Sequence, residues 1–215
     1  MKLAGAIFDL DGTLADTLPA CYAAFRAACE GVGGPAYTNE QIRGLFGPSE
    51  EGMLQRALSE RWEEGLTILL AAYQQHLGTC GGVFPSVTTA LRLLRERGTP
   101  LALVTGKGPF TTKMSLTHFG LDSVFDAVEV GSPQGVVKAA AIARVVARWG
   151  VPAGEVIYVG DAVADVESAR QAGVLPIAAA WAPSAIAAEL AAAKPHALFA
   201  RGEDFHAWLL TTLAP

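Results

Sequence analysis

Beyond Gly82, short apolar runs and helix-patterned stretches take turns along the chain, and few architectures accommodate that alternation. Residues 101–104, 125–130, 156–159, 174–178 and 197–199 read as strands. Residues 86–97, 109–119, 138–149 and 165–172 read as helices, with one more before the last strand and one after it. An earlier apolar run, residues 3–8, supplies the first strand. Strands separated by helices pair in parallel and are covered on both faces, so the expected class is α/β with a doubly wound parallel sheet. Such sheets bind ligands beyond the carboxyl ends of their strands.

Residues 17–82 break the alternation, because only helical patterns occur there. Leu66, Leu69, Leu70, Tyr73 and Leu77 fall on one stripe of a helix. Ser49 before Glu50 and Glu51, after the Gly47-Pro48 breaker, marks a helix start. Gly31, Gly33, Gly34 and Pro35 mark a helix end. A chain of 215 residues exceeds the roughly 150 of a typical domain. The expected division is therefore a catalytic core of residues 1–16 and 83–215, with a smaller all-helical domain of residues 17–82 inserted after the first strand.

Half the residues are apolar and 17% are charged, enough for a sizeable core and too apolar for a disordered chain. A net charge of −5 and the absence of a long basic run exclude a dedicated nucleic-acid binder. A phosphorylated small molecule stays open, since a pocket can be positive inside a negative protein. Cys21, Cys29 and Cys80 show no paired spacing, which points to free thiols in a reducing compartment. No apolar run is long enough for a signal peptide or for the roughly 20 residues of a membrane span. The expectation is a cytoplasmic protein without membrane or nucleic-acid partners, monomer or homodimer.

The residues following each strand carry the chemistry. The first strand runs into Asp9-Leu-Asp11-Gly-Thr-Leu-Ala-Asp16, and the second into Thr105-Gly106-Lys107. The third leads to Lys138 at a helix start, and the fourth into Gly160-Asp161-Ala-Val-Ala-Asp165. Acids, a hydroxyl and cations thus gather at one sheet edge. In this order and over essentially the whole chain, these motifs resemble the haloacid-dehalogenase-like superfamily. Its phosphatase branch, and enzymes of the phosphoglycolate phosphatase type, are the nearest match. The resemblance implies a Rossmann-like core, with the helical insertion as a cap.

It also implies roles. Asp9 is the nucleophile that forms an aspartyl-phosphate, and Asp11 the acid and then the base. Two acids so close need different pKa values, so Asp11 should have a desolvating or anionic neighbour. Gly12 permits a sharp turn, and Thr13 would fix Asp11 by hydrogen bonding. Mg²⁺ would be held by Asp9, the Asp11 carbonyl and Asp161, with Asp165 in support. Thr105 and Gly106 would hold phosphate oxygens at a helix N-terminus, and Lys138 would neutralise nucleophile and phosphate.

One departure stands out, because Lys138 is followed by alanine where this branch usually has proline. Lys107 is the rival cation. Dehalogenases lack the second acid, here Asp11. Phosphonatases need a cap lysine, and residues 17–82 contain none. The phosphoglucomutase type relies on a cap histidine and lysine near the hinge, where only His76 is available. Hydrolysis of a small phosphate monoester remains, with a pyrophosphatase, a nucleotidase or a non-catalytic binding protein as alternatives. Arg43, before the Gly44–Pro48 turn, is the candidate for an anionic group on the substrate, although that turn would equally serve as a surface link between helices. His76, His118, His196 and His206 lack metal-ligand spacing.

Overall fold

The computed structural model describes residues 3–213. Six strands form one sheet: β1 (Gly5–Phe8), β2 (Leu101–Val104), β3 (Ala127–Glu129), β4 (Val156–Gly160), β5 (Leu175–Ala179) and β6 (Ala197–Phe199). Their order is β3-β2-β1-β4-β5-β6 and every pairing is parallel. The strand order reverses beside β1, the switch point at which doubly wound sheets bind ligands.

Side chains alternate between the two faces of the sheet, as the two-residue strand period requires. Ala6 and Phe8 pack with Leu101, Leu103, Ile157 and Val159 on one face. That face is covered by α5 (Pro85–Glu96) through Val87, Ala90, Leu91 and Leu94. It is also covered by α10 (Gly202–Thr212) through Phe205 and Leu209. Ile7, Ala102, Val104 and Tyr158 face the other way, against Ala141, Ile142 and Val145 of α7 (Lys138–Trp149) and Ala169 of α8 (Val163–Gln171). Each large apolar side chain buried in this way contributes about 1.5–3 kcal/mol. The remaining core helices are α6 (Pro109–His118) and α9 (Ala187–Ala192).

Between β1 and α5 lie four helices, α1 (Leu18–Gly31), α2 (Asn39–Arg43), α3 (Glu50–Leu58) and α4 (Trp62–Leu77). They share a core of their own that includes Phe25, Ala28, Ile42, Leu54, Leu69, Tyr73 and Leu77. The expected stripe on α4 is present, with Leu69, Tyr73 and Leu77 buried and Leu66 and Leu70 partly so. Thr38 starts α2 with a capping box: its hydroxyl accepts from Gln41 N, while the Gln41 side chain accepts from Thr38 N. Ser49 does precede α3, but its hydroxyl donates to Glu51 Oε2 at 2.5 Å instead of capping the backbone.

Among the boundaries that differ from the sequence expectation, two stand out. β3 is three residues long, not six, because it pairs with β2 alone and has no second neighbour to extend it. α8 begins at Val163, two residues before Asp165, so Asp165 lies in its first turn.

Candidate active site

The register brings the strand ends level. Phe8 pairs with Leu103 on one side and Val159 on the other. Asp9 therefore emerges beside Val104 and Gly160, and Thr105 and Asp161 follow one residue later. Neighbouring strands lie about 4.8 Å apart, so three functional residues converge without any loop having to travel.

Asp9 is held from three directions. Its amide donates to Val159 O at 2.9 Å, its Oδ1 accepts from Leu10 N at 2.8 Å, and its Oδ2 accepts from Lys138 Nζ at 2.9 Å. The chain then turns sharply at Gly12, where φ is +71°. A Cβ there would stand 2.2 Å from Asp161 Oδ2, so the site requires glycine for both backbone and space.

Asp11 is partly buried, and desolvation pushes its pKa up, while the Lys107 ammonium and the Thr17 hydrogen bond pull the other way. This is the desolvated environment expected for it. Its fixing partner differs from the expected one. Thr17 Oγ1 donates to Asp11 Oδ1, whereas the buried Thr13 hydroxyl has no hydrogen-bond partner among the described residues. The Asp11-to-Ala15 bridge returns the chain so that position 17, not 13, faces the carboxylate. Thr13 serves instead through its carbonyl, which accepts from Trp181 Nε1 at 3.0 Å.

Lys138 is the first residue of α7, and its ammonium bridges Asp9 and Asp165, at 2.9 and 2.5 Å. Burial opposes its charge, but Asp165 and Asp9 outweigh that and hold its pKa well above the ordinary value. Asp165 also accepts from Ala162 N at 3.1 Å. The Tyr158 hydroxyl donates to Val104 O at 2.9 Å and lies 3.4 Å from Asp165 Oδ1. Asp161 is pushed well above the usual carboxylate range by burial and then by Asp165 and Asp9.

Carboxylate oxygens of Asp9, Asp161 and Asp165 lie within 4.8 Å of one another. An all-oxygen, anionic set of this compactness matches what a small hard divalent cation such as Mg²⁺ prefers. The crowded acids carry more negative charge than Lys138 alone offsets, so the donor set fits that ion.

Thr105 is buried, and its Oγ1 accepts from Lys107 N at 3.3 Å. The expected helix N-terminus behind it is already occupied by an anion: Glu50 Oε2 accepts from Gly108 N at 2.5 Å, just before α6. The Thr105–Gly106 segment therefore stands beside that terminus, whose Gly108 amide is taken by Glu50.

Lys107 is more deeply buried than Lys138 and has different partners. Its ammonium lies 3.4 Å from both Asp11 Oδ1 and Glu50 Oε1, 3.3 Å from Cys21 Sγ, and 4.3 Å from the centre of the Tyr73 ring. Burial works against its charge, but Asp11 and its other neighbours hold the pKa well above normal. Glu50 is held low: burial would raise it, but Lys107, Thr111 and the Gly108 amide outweigh that.

A cavity of about 280 Å³ is lined by Asp9, Asp11, Thr105, Gly106, Lys107, Lys138, Asp161 and Asp165 together with helices α1–α4. Arg43 lines it from an exposed position and has no ion-pair partner among the described residues. Gly12 and Thr13 shape it from behind without lining it, and none of the four histidines borders it. Glu50, Cys21, Tyr73 and Tyr158 escape sequence reasoning. The first three come from the inserted helices, outside the motifs that follow the strands, and Tyr158 reads as an ordinary strand residue. The three thiols are free, and no described helix is long and apolar enough to cross a membrane.

Comparison with known proteins agrees with this geometry. The family model for haloacid dehalogenase-like hydrolases matches residues 6–179. A phosphoglycolate phosphatase from Synechococcus elongatus is 34% identical over 178 residues, covering 81% of this chain and 82% of the relative. A haloacid dehalogenase-like family hydrolase from Streptococcus pneumoniae superposes with a TM-score of 0.77 at 25% identity, covering 96% of this chain and 98% of that one. The structure of a predicted phosphoglycolate phosphatase from Haemophilus somnus gives 0.80 at 23% identity, over 97% and 99% of the two chains. With its acids at the ends of β1 and β4 and its lysine opening α7, the chain belongs to the haloacid dehalogenase-like hydrolases.

Proposed function

We propose that the chain is an Mg²⁺-dependent phosphatase that hydrolyses small phosphate monoesters through an aspartyl-phosphate. The observation that carries this reading is the Lys138 ammonium bridging Asp9 and Asp165 beside Asp161 in one cavity. Asp9, Asp161 and the Asp11 carbonyl would hold the metal, with Asp165 in support. Bound there, Mg²⁺ supplies charge neutralisation to phosphate and nucleophile.

The protein's own residues account for the remaining steps. Thr105 and Gly106 orient the phosphoryl oxygens, and Lys138 offsets their charge, since phosphoryl transfer depends chiefly on positioning and electrostatics. A carboxylate oxygen of Asp9 attacks phosphorus, the P–O bond to the alcohol breaks, and Asp11 gives its proton to the departing oxygen. Asp11, now ionised, takes a proton from water as that water attacks the phosphoaspartate. Inorganic phosphate leaves and Asp9 is regenerated. Burial of Asp11 favours the protonated form that the first step needs.

Helices α1–α4 act as a cap over the strand ends, with the core on residues 1–16 and 83–215, and exclude water from the intermediate. Phosphoglycolate, the substrate named for the relatives, is the first compound to assay, and Arg43 would meet its carboxylate. Its partners are small phosphorylated metabolites, in a soluble cytoplasmic protein.

The test is phosphate release from p-nitrophenyl phosphate and a metabolite panel, with and without EDTA. Asp9→Asn should lower turnover by roughly a thousandfold or more; activity within tenfold of wild type overturns the assignment. Arg43→Ala should raise KM for phosphoglycolate more than for p-nitrophenyl phosphate. Preference for pyrophosphate or nucleotides would redirect the substrate reading, and saturable binding without turnover would leave a binding protein.

A further inference from the structure

The start of α3 grips two loops of the core at once. Ser49 N donates to Ser132 O at 2.9 Å, and a Cβ on Gly52 would stand 2.3 Å from Pro133 O, so α3 lies directly against the loop that follows β3. Glu50, between those two residues, turns to the other loop, residues 105–108, which leads from β2 into α6.

That second loop has few means of holding itself. Gly106 and Gly108 carry no side chains, and Gly108, as the N-cap of α6, offers no oxygen to the helix that begins at Pro109. Glu50 supplies an acceptor from another helix. Its Oε2 accepts from Gly108 N at 2.5 Å and its Oε1 from Thr111 Oγ1 at 2.6 Å. The neighbouring loop, itself seated on α3, adds a backbone tie from Gly131 N to Lys107 O at 2.7 Å.

Lys107 connects this grip to the chemistry. Its amide donates to Thr105 Oγ1 at 3.3 Å, and its ammonium lies 3.4 Å from both Asp11 Oδ1 and Glu50 Oε1. The side chain is 3% exposed, and a charge so buried is costly to leave without partners. Two carboxylates therefore set its place, one from the core and one from α3. With position 50 uncharged, the ammonium has Asp11 alone, and the loop that carries it shifts with it.

Resting on the phosphatase reading above, we infer that Glu50 is a positioning residue: by pairing with Lys107 and closing the start of α6, it fixes Thr105 and Gly106 where they hold the phosphoryl oxygens. Both of its oxygens are engaged by protein donors, so it acts through Lys107 and Gly108 and not on the substrate. The core binds the phosphate, while a residue of the inserted helices sets the geometry of that binding.

The experiment follows inorganic phosphate as a competitive inhibitor of p-nitrophenyl phosphate hydrolysis, because an inhibition constant does not depend on how much of a preparation is folded. Glu50→Gln keeps the shape of the side chain and an acceptor for Gly108 N while removing the charge. It should raise the inhibition constant, and lower kcat/KM, by at least about tenfold, since a misplacement of about 1 Å can cost about a hundredfold. A constant within about twofold of wild type overturns the inference, and so does a fall in kcat alone, which a merely structural role would produce. In a Lys107→Met background the same substitution should change the constant by less than about twofold, because the charge that Glu50 holds is already gone. A full effect there overturns the inference as well. The double variant leaves no unpaired carboxylate at position 50, so it serves if Glu50→Gln alone does not fold, and it should itself raise the constant by about tenfold. Wild-type turnover with an unmoved constant in Glu50→Gln defeats this inference alone; no turnover of any ester by the wild-type protein defeats the phosphatase reading and this inference together.

Discussion

Lys138 and Asp9 stand 129 residues apart in the chain, yet Nζ of one lies 2.9 Å from Oδ2 of the other. The ammonium belongs to the first residue of a helix and the carboxylate to the residue after the central strand, so the packing of α7 on the sheet sets the distance. Removal of the ammonium would leave three crowded carboxylates without their fixed counter-charge.

Lys138→Ala should therefore lower kcat/KM by about 10²–10³, the usual loss when one fixed donor to developing charge is removed. Lys107→Ala should cost less, because its charge is spent on Asp11 and Glu50 away from the nucleophile. Steady-state kinetics of the two variants decide between them, and a larger loss at Lys107 would exchange the roles.

Asp161→Ala should raise the Mg²⁺ concentration for half-maximal activity by more than roughly tenfold, since it deletes one donor of an oxygen-only set. Calorimetric titration of Mg²⁺ into the variant checks this apart from turnover. Unchanged affinity would remove Asp161 from the metal site.

Tyr158 ties Val104, the residue before Thr105, to Asp165 through one hydroxyl. Tyr158→Phe keeps the ring in the core and deletes only that tie. Loss of an outer partner of this kind commonly costs 10–100-fold in metal affinity or activity, so Mg²⁺ half-saturation and kcat should shift by about that range. A variant of equal fold stability and unaltered kinetics would show that the hydroxyl merely satisfies Val104.

The strand ends were legible because their signals are local: Asp9, Asp11, Thr105, Asp161 and Asp165 each follow an apolar run, and the parallel register aligns the runs. Lys138 was legible as the residue that opens a helix. Thr17, not Thr13, holds Asp11 because distance along the chain says nothing about the hairpin-like return that presents Thr17 to the carboxylate. Glu50 was read only as a first-turn acid of α3, which it is. Its pairing with Lys107 and with the start of α6 depends on how one layer of helices sits on another, and no periodicity records that. Tyr158 alternates with its neighbours as any strand residue would, and its hydroxyl is invisible to a pattern of apolar positions.

Gly12→Ala should cost about 1–3 kcal/mol of stability, because it adds a side chain at positive φ and drives it into Asp161. Urea unfolding measures the loss, and activity should fall further than stability alone explains because Asp161 is displaced. A variant with full activity would show that the turn can rearrange without moving the acid.

The central position of β1 has a consequence for how the chain reaches this state. Its partners are remote: Ala6 pairs with Leu101 and with Ile157. β1, made before its partners, is thus completed only after two long loops close, both of them spanning the entire α1–α4 layer. Such non-local pairings slow folding and leave an apolar strand edge exposed meanwhile. The α1–α4 helices, which lie wholly between β1 and β2 and share a core of their own, can assemble before β2 and β4 arrive, so the nucleophile is put in place only when those later strands pair with β1.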